Sequence, residues 1–170
     1  MQAGQHALKV RAATMADVAA VDALLARAYP KLLKADYAPS MMVMALPLIA
    51  RAKPSLVTCG TYFVVEQAGA IIGAGGWTTA APGRGQVRSG QGNIRHVVTD
   101  DRQVRRGVGR ALMTHIVQTA TAAGVRRLEC LSTLTARPFY QAMGFVVAGP
   151  VTVPLAQGIE FPAIAMWRDL

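Results

Sequence analysis

Two glycines two residues apart, Gly107 and Gly109, stand among Arg105, Arg106 and Arg110 in the stretch Val104-Arg105-Arg106-Gly107-Val108-Gly109-Arg110-Ala111-Leu112. An apolar, strand-like run from Ile94 to Thr99 precedes them and a helical pattern follows. Residues of these types at this spacing suit an anion. Glycine lets the backbone approach a ligand closely. The first N–H groups of a helix lack intrahelical partners and can point at the anion. Arginines add charge-assisted hydrogen bonds to phosphate oxygens. The stretch reads as a nucleotide or coenzyme handle. Two familiar versions fail on spacing. A P-loop needs Lys-Ser or Lys-Thr after its last glycine, and Arg110-Ala111 follows Gly109. A dinucleotide fingerprint needs a third glycine where Leu112 stands, and Glu129 near the distance of its acidic residue does not restore it. Gly73-Ala74-Gly75-Gly76 fails too, because Trp77 and Thr78 continue as strand rather than opening a helix.

The segment resembles the coenzyme A site of the GNAT superfamily of N-acetyltransferases, which carries Gln/Arg-x-x-Gly-x-Gly/Ala between its fourth strand and third helix. Arg105, Arg106, Gly107, Val108 and Gly109 match, and Val104 stands where Gln or Arg is usual. The family uses that position largely through its backbone N–H. Downstream, Thr133, Ala136, Phe139, Tyr140, Gly144 and Phe145 resemble the family's Asn-x-x-Ala-x-x-Phe-Tyr-x-x-x-Gly-Phe signature, with Thr133 in place of Asn. Asn and Thr can both cap a helix. The resemblance implies an α+β fold (α/β mixed), with a central mixed, mostly antiparallel sheet of about seven strands flanked by about four helices.

The resemblance also implies a chemistry. The acetyl group of acetyl-CoA passes to a primary amine, of a small molecule, by direct attack in a ternary complex, with no metal. Val97, Val98 and Thr99 pair their backbone with the pantetheine arm, and the Val98 N–H meets the thioester oxygen. Val104, Arg105, Arg106, Gly107, Val108, Gly109 and Arg110 hold the pyrophosphate. Thr133, Phe139 and Tyr140 complete the coenzyme site. Tyr140 is the expected general acid for the departing thiolate, since a phenol of pKa near 10 stays protonated at neutral pH. The general base is open among His96, Glu66, Asp100, Glu129 and a water chain. His96 leads because imidazole titrates in the useful range. By strand alternation His96 shares a face with Val98, and Arg95 with Val97. His6 reads as a tail residue and His115 as a helix-surface residue.

Two rival functions remain at this level. One is an acetyltransferase acting on a protein or aminoacyl-tRNA amine, which positive charge would attract. The other is a non-catalytic acyl-CoA sensor, against which Tyr140 speaks. The formal net charge is +9. There is no Lys/Arg run and no aromatic-interleaved basic stripe, which argues against a nucleic-acid partner. Arg95, Arg102, Arg105, Arg106 and Arg110 flank the loop, and a polyphosphate coenzyme is a sufficient partner for them. The acceptor-selecting residues are expected in the Tyr29 to Ser55 region, around Trp77 and in the Thr79 to Gly92 loop. Tyr29 and Tyr37 suggest a partly hydrophobic pocket there.

These residues need a scaffold. The 170 residues, with 52% hydrophobic and 16% charged, read as one packed domain over 1–170, with 1–6 as a flexible tail. No apolar run is long enough to span a membrane, and the N-terminus lacks a secretory core. Cys59 and Cys130 have no metal-ligand spacing and read as reduced core thiols in a cytoplasmic protein.

Leu8 to Ala12 reads as a strand. Thr14 with Asp17 forms a capping box for an amphipathic helix that Pro30 ends. A second helix follows over Ser40 to Ala52, with Met41, Met42, Met44, Leu46 and Leu48 as core or, secondarily, an adaptable pocket wall. Thr61–Glu66 and Ala70–Thr78 form a hairpin through Gln67-Ala68-Gly69. A helix runs from the glycine loop to Gly124. Then come a strand at Val125 to Leu131, a helix at Leu134 to Met143 closed by Gly144, and closing strands at Phe145 to Val153 and Phe161 to Trp167. Exposed strands at the C-terminus leave room for a homodimer.

Overall fold

The computed structural model describes residues 6–83 and 85–170. The first five residues of the expected tail therefore lie outside the described residues. Seven strands, β1 (Lys9–Ala12), β2 (Tyr62–Gln67), β3 (Ala70–Thr78), β4 (Gln91–Thr99), β5 (Arg127–Ser132), β6 (Val146–Pro154) and β7 (Glu160–Asp169), form one sheet in the order β1-β2-β3-β4-β5-β7-β6. Five helices accompany them: α1 (Val18–Leu33), α2 (Pro39–Ile49), α3 (Pro54–Val57), α4 (Val108–Ala122) and α5 (Arg137–Ala142). All neighbouring strands are antiparallel except β4 and β5. The mixed α+β architecture expected from the sequence is the one observed.

Alternation along β2 sorts the core into two layers. Tyr62 and Val64 join Val21, Leu24 and Leu25 of α1 and Ala45 of α2. Phe63 and Val65 join Leu112, Met113 and Ile116 of α4 and Tyr140 of α5. The sheet therefore buries both faces, and each helix contributes one apolar stripe.

Local chemistry explains most element ends. Asp17 accepts the Thr14 backbone N–H at 2.7 Å and both terminal nitrogens of Arg11 at 2.8 Å, while Arg11 also reaches Glu66 at 2.7 Å. The capping box thus ties the start of α1 to β1 and β2. At the hairpin, Ala68 and Gly69 have φ of 50° and 78°, the pair of positive values a tight two-residue turn requires.

Four expectations need correction here. Pro30 does not end α1, which runs on to Leu33. Burial of Tyr29 and Leu33 (8% and 3% exposed) offsets the roughly 3 kcal/mol cost of an interior proline. The second helix stops at Ile49, because Pro54 disfavours helical geometry at Lys53 and the Ala52 N–H turns to the Asp22 carboxylate at 2.8 Å. Met44 is not core: it is 47% exposed, and only Met42 and Ala45 of that helix are buried. The helix expected from Leu134 begins instead at Arg137, beside Pro138. The residues before it form a turn in which the Thr133 hydroxyl accepts the Ala136 N–H at 3.1 Å.

Candidate active site

The parallel pair β4–β5 is short. Its register holds only at Gln91↔Arg127, Gly92↔Leu128 and Asn93↔Glu129. Beyond that, β5 continues on β7 alone, and the β5-facing side of Ile94 to Thr99 has no strand partner. The sheet splits open there. At the far end of the free edge lies the glycine loop. Arg105 and Gly107 have φ of 65° and 80°, so the backbone reverses twice within three residues before α4 begins. Such alternation turns successive N–H groups inward to form an anion-binding hollow. The first α4 amide with a backbone acceptor is that of Ala111, on the Gly107 carbonyl at 2.9 Å. The amides of Val108, Gly109 and Arg110 are thus left for a ligand. Arg105, Arg106 and Arg110 are exposed, and none pairs with a carboxylate among the described residues.

The two glycines do different work. Gly107 needs its positive φ and has open space where a Cβ would stand. Gly109 has the Phe139 ring 2.8 Å from that position, so its smallness lets α5 close on α4. The glycines of β3 that failed as a phosphate motif serve the same purpose: a Cβ on Gly73 would meet Val108 at 2.8 Å.

The arginine cluster is smaller than expected. Arg102 is committed to Asp100, at 3.0 Å, and Asp100 also caps the turn before the loop. Arg95 is not at the loop at all. A bulge in β4 sets His96 and Val97 against Gly75, and His96 takes a φ of 51°. The bulge breaks the expected alternation, so Arg95 and His96 both line one cavity while Val97 packs towards Gly75 and Leu112.

That cavity, about 240 Å³, sits at the split. Tyr29 of α1, Ile49 of α2, Lys53, and Arg95 to Val97 of β4 form one side. Cys130 and Leu131 of β5, Thr133, Tyr140 and Phe161 form the other. Tyr140 belongs to the α4-side core yet reaches the cavity through the gap between β4 and β5. Its phenol is 5% exposed and packs edge-on against Phe139 and Phe145. Burial pushes its pKa well above the ordinary value, and the adjoining Cys130 pushes it further. The Cys130 thiol itself is pushed up to about 12, chiefly by burial.

His96 donates from Nε2 to the Ile49 carbonyl at 2.6 Å. A carbonyl only accepts, so the proton must sit on Nε2, which leaves the Nδ1 lone pair free. Burial holds the imidazole pKa below its ordinary value, outweighing the Ile49 bond, with Lys53 and Arg95 adding to the depression. The ring is therefore neutral at pH 7. Of the rival bases, Glu66 is engaged with Arg11, and Asp100 with Arg27 and Arg102. Glu129 lines a second cavity of about 250 Å³, with Ala81, Gln86 and Arg88 also in its lining, which shares Pro82, Ile94, Cys130 and Leu131 with the first.

Several smaller expectations resolve. Tyr29 lines the cavity and its hydroxyl donates to the Val97 carbonyl at 3.1 Å. Tyr37 does not line it; its ring stacks on Phe161 at 4.6 Å and its hydroxyl donates to the Pro162 carbonyl at 2.7 Å. Trp77 is buried on the opposite, α4 face, donating to Thr119 at 3.0 Å, and lines neither of these two cavities. Cys59 is exposed rather than core. His115 is half-buried, edge-on to Phe63. Lys53 falls in the Tyr29 to Ser55 region expected to select the acceptor, whereas the sequence alone puts Arg95 at the loop and reads Cys130 only as a core thiol. All three line the cavity, and no spacing signal marks the bulge that brings Arg95 round.

The sequence profile described as the Acetyltransferase (GNAT) domain matches residues 58–147, from just before β2 into β6. The chain belongs to the GNAT family of acetyltransferases. As a GNAT protein it shares its fold with many solved structures. A GCN5-related N-acetyltransferase from Rhodopseudomonas palustris is 18% identical with a TM-score of 0.74, over 100% of this chain and 99% of that one. The PaiA N-acetyltransferase from Thermoplasma acidophilum, solved in complex with coenzyme A, is 8% identical with a TM-score of 0.71, over 96% and 99%. The ribosomal-protein-S18-alanine N-acetyltransferase from Escherichia coli is 20% identical with a TM-score of 0.62, over 96% and 94%. No curated protein sequence matches the chain. The open β4 edge and the glycine loop of this GNAT protein lie within the matched residues 58–147, and the cavity draws on residues inside and outside that span.

Proposed function

We propose that residues 1–170 act as one N-acetyltransferase domain that moves the acetyl group of acetyl-CoA onto the primary amine of a small molecule in a ternary complex. The observation that carries this reading is the continuity of three features along β4: the anion hollow, the unpaired edge, and a cavity lined by a neutral imidazole and a protonated phenol. Bound acetyl-CoA supplies the activated acetyl thioester. The amides of Val108, Gly109 and Arg110, with Arg105, Arg106 and the backbone of Val104 and Gly107, take the pyrophosphate. β4 offers its free edge to the pantetheine arm. The Val98 N–H expected at the acyl carbonyl is not that donor. The alternation that puts the Asp100 N–H on the Ile72 carbonyl and Val98 opposite Ala74 turns it towards β3. Val97 and Thr99 are the residues whose backbone faces the open edge. Thr133 and Phe139 border the arm near its end.

The His96 Nδ1 lone pair accepts the proton that the attacking amine loses. Tyr140 donates to the departing sulfur. Its raised pKa does not oppose this, because the same surroundings push the Cys130 thiol up to about 12. A thiolate released beside it is a comparably strong base.

A small acceptor is favoured over a protein or tRNA because the cavity is small, about 240 Å³, with Leu48 and Ile49 of α2 and Pro82 in its lining. The test is thermal unfolding with and without acetyl-CoA. A ligand that binds only the folded state raises the midpoint, by the equivalent of about 2.7 kcal/mol at a hundredfold excess over Kd. The shift should vanish in Gly107→Val, whose side chain cannot take the positive φ, while that variant still unfolds cooperatively. No shift in the parent would remove both the enzyme and the sensor readings.

A further inference from the structure

Arg95 is half-buried in the cavity wall, and among the described residues its one side-chain partner is the Thr78 hydroxyl at 3.0 Å. Lys53 lines the same cavity. The chain has nine Asp and Glu, all within the described residues, and none forms an ion pair with Arg95 or Lys53. No Asp or Glu side chain lines the cavity; apart from the two cations, His96, Tyr29, Tyr140, Thr133 and the Cys130 thiol, its lining residues are apolar. A guanidinium removed from water without a counter-ion is costly. Arg95 also stands beside the catalytic imidazole, where an amine must lose its proton. A purely cationic amine would meet two like charges there. An amine that brings its own negative group would neutralise them.

We propose that the acceptor carries a carboxylate close to its primary amine, as a small amino acid does, and that Arg95 binds it in a two-pronged pair with Lys53 adding charge at the rim. The planar guanidinium fork matches a carboxylate's two oxygens. The apolar walls, including Leu56 and Phe161, suit a hydrocarbon body. Simple diamines and polyamines are disfavoured by the same field. The inference rests on the acetyltransferase reading above.

The experiment compares kcat/KM for matched sets of free amino acid, its carboxamide and its decarboxylated amine, with methionine, leucine and phenylalanine as the probes. For at least one set the free acid should exceed both analogues by about 100-fold, the scale of a charge-assisted pair lost from a buried site. Arg95→Met should narrow that ratio to within about threefold while the acetyl-CoA affinity stays at the parental value, and Arg95→Lys should restore part of it. If Arg95→Met fails to fold, the parental ratio and Arg95→Lys still decide. Equal kcat/KM for acid and carboxamide in every set, or a preference for the decarboxylated amine, overturns the inference and leaves the acetyltransferase reading standing. Release of coenzyme A with none of the probes, while unrelated amines are acetylated, also overturns it. Release with no amine of any kind overturns the reading itself.

Discussion

Tyr140 and His96 face one cavity from opposite sides of the split between β4 and β5, and their protonation states are set by burial. Tyr140 stays protonated throughout the physiological range, and His96 stays neutral with its proton fixed on Nε2 by Ile49. The pH profile follows from the direction of the His96 shift. A base whose pKa lies below the ordinary 6.5 is competent above that point and lost as pH falls through it. The acidic limb of kcat/KM should therefore break below 6.5 in the parent. His96→Gln keeps a donor for the Ile49 carbonyl but has no basic nitrogen. It should lower kcat by about 10²–10⁴ and flatten the acidic limb. An unchanged limb would move the base role elsewhere, with Glu129 of the adjoining cavity next in line. The resemblance identified Tyr140 because two aromatic residues and two small ones recur at fixed spacing around it. His96 could be suggested only by its titration range, since its partner, Ile49, is 47 residues away in sequence.

At the scale of elements, the sequence shows hydrophobic period and turn chemistry, and those parts were legible. The hairpin turn, the capping box, the glycine that ends α4 and the alternation of β2 all follow from local residues. What sequence could not show is the bulge at His96, which sets His96 and Val97 against Gly75 of β3 and turns Arg95 into the cavity at the split rather than the glycine loop. Nor could it show that α1 survives Pro30, because the compensation is tertiary.

The start of α1 is itself testable. Asp17 is 6% exposed, and hydrogen bonds from Arg11, then from Thr14, hold its carboxyl down to about 2 against an unfolded value near 4. A depressed acid stabilises the fold fully above its unfolded pKa and ceases to do so as pH falls through its folded one. The stabilisation is about 2 kcal/mol. Asp17→Asn should lose an amount of that order at pH 7 in urea unfolding, and the difference from the parent should shrink between about pH 4 and pH 2. A constant difference down to pH 2 would assign the effect to packing instead.

For the whole molecule, the sheet has two free outer strands, β1 and β6, and a net charge of +9. No helix among the described residues is long and apolar enough to cross a membrane. The positive charge gathers at the exposed Arg105, Arg106 and Arg110 around the hollow and at a second place, half-buried Arg95 with exposed Lys53 at the cavity rim. The two places lie towards opposite ends of the open β4 edge, as the proposed seats of an anionic coenzyme and an anionic acceptor require. The measurement that bears most directly on this account is amine-dependent release of coenzyme A from acetyl-CoA, run in parallel on the parent and on Tyr140→Phe. The parent should release coenzyme A only when an acceptor amine is present, and Tyr140→Phe should bind acetyl-CoA with parental affinity but release it about 10²-fold or more slowly. Equal rates for the two proteins, or no amine-dependent release by the parent, would contradict it.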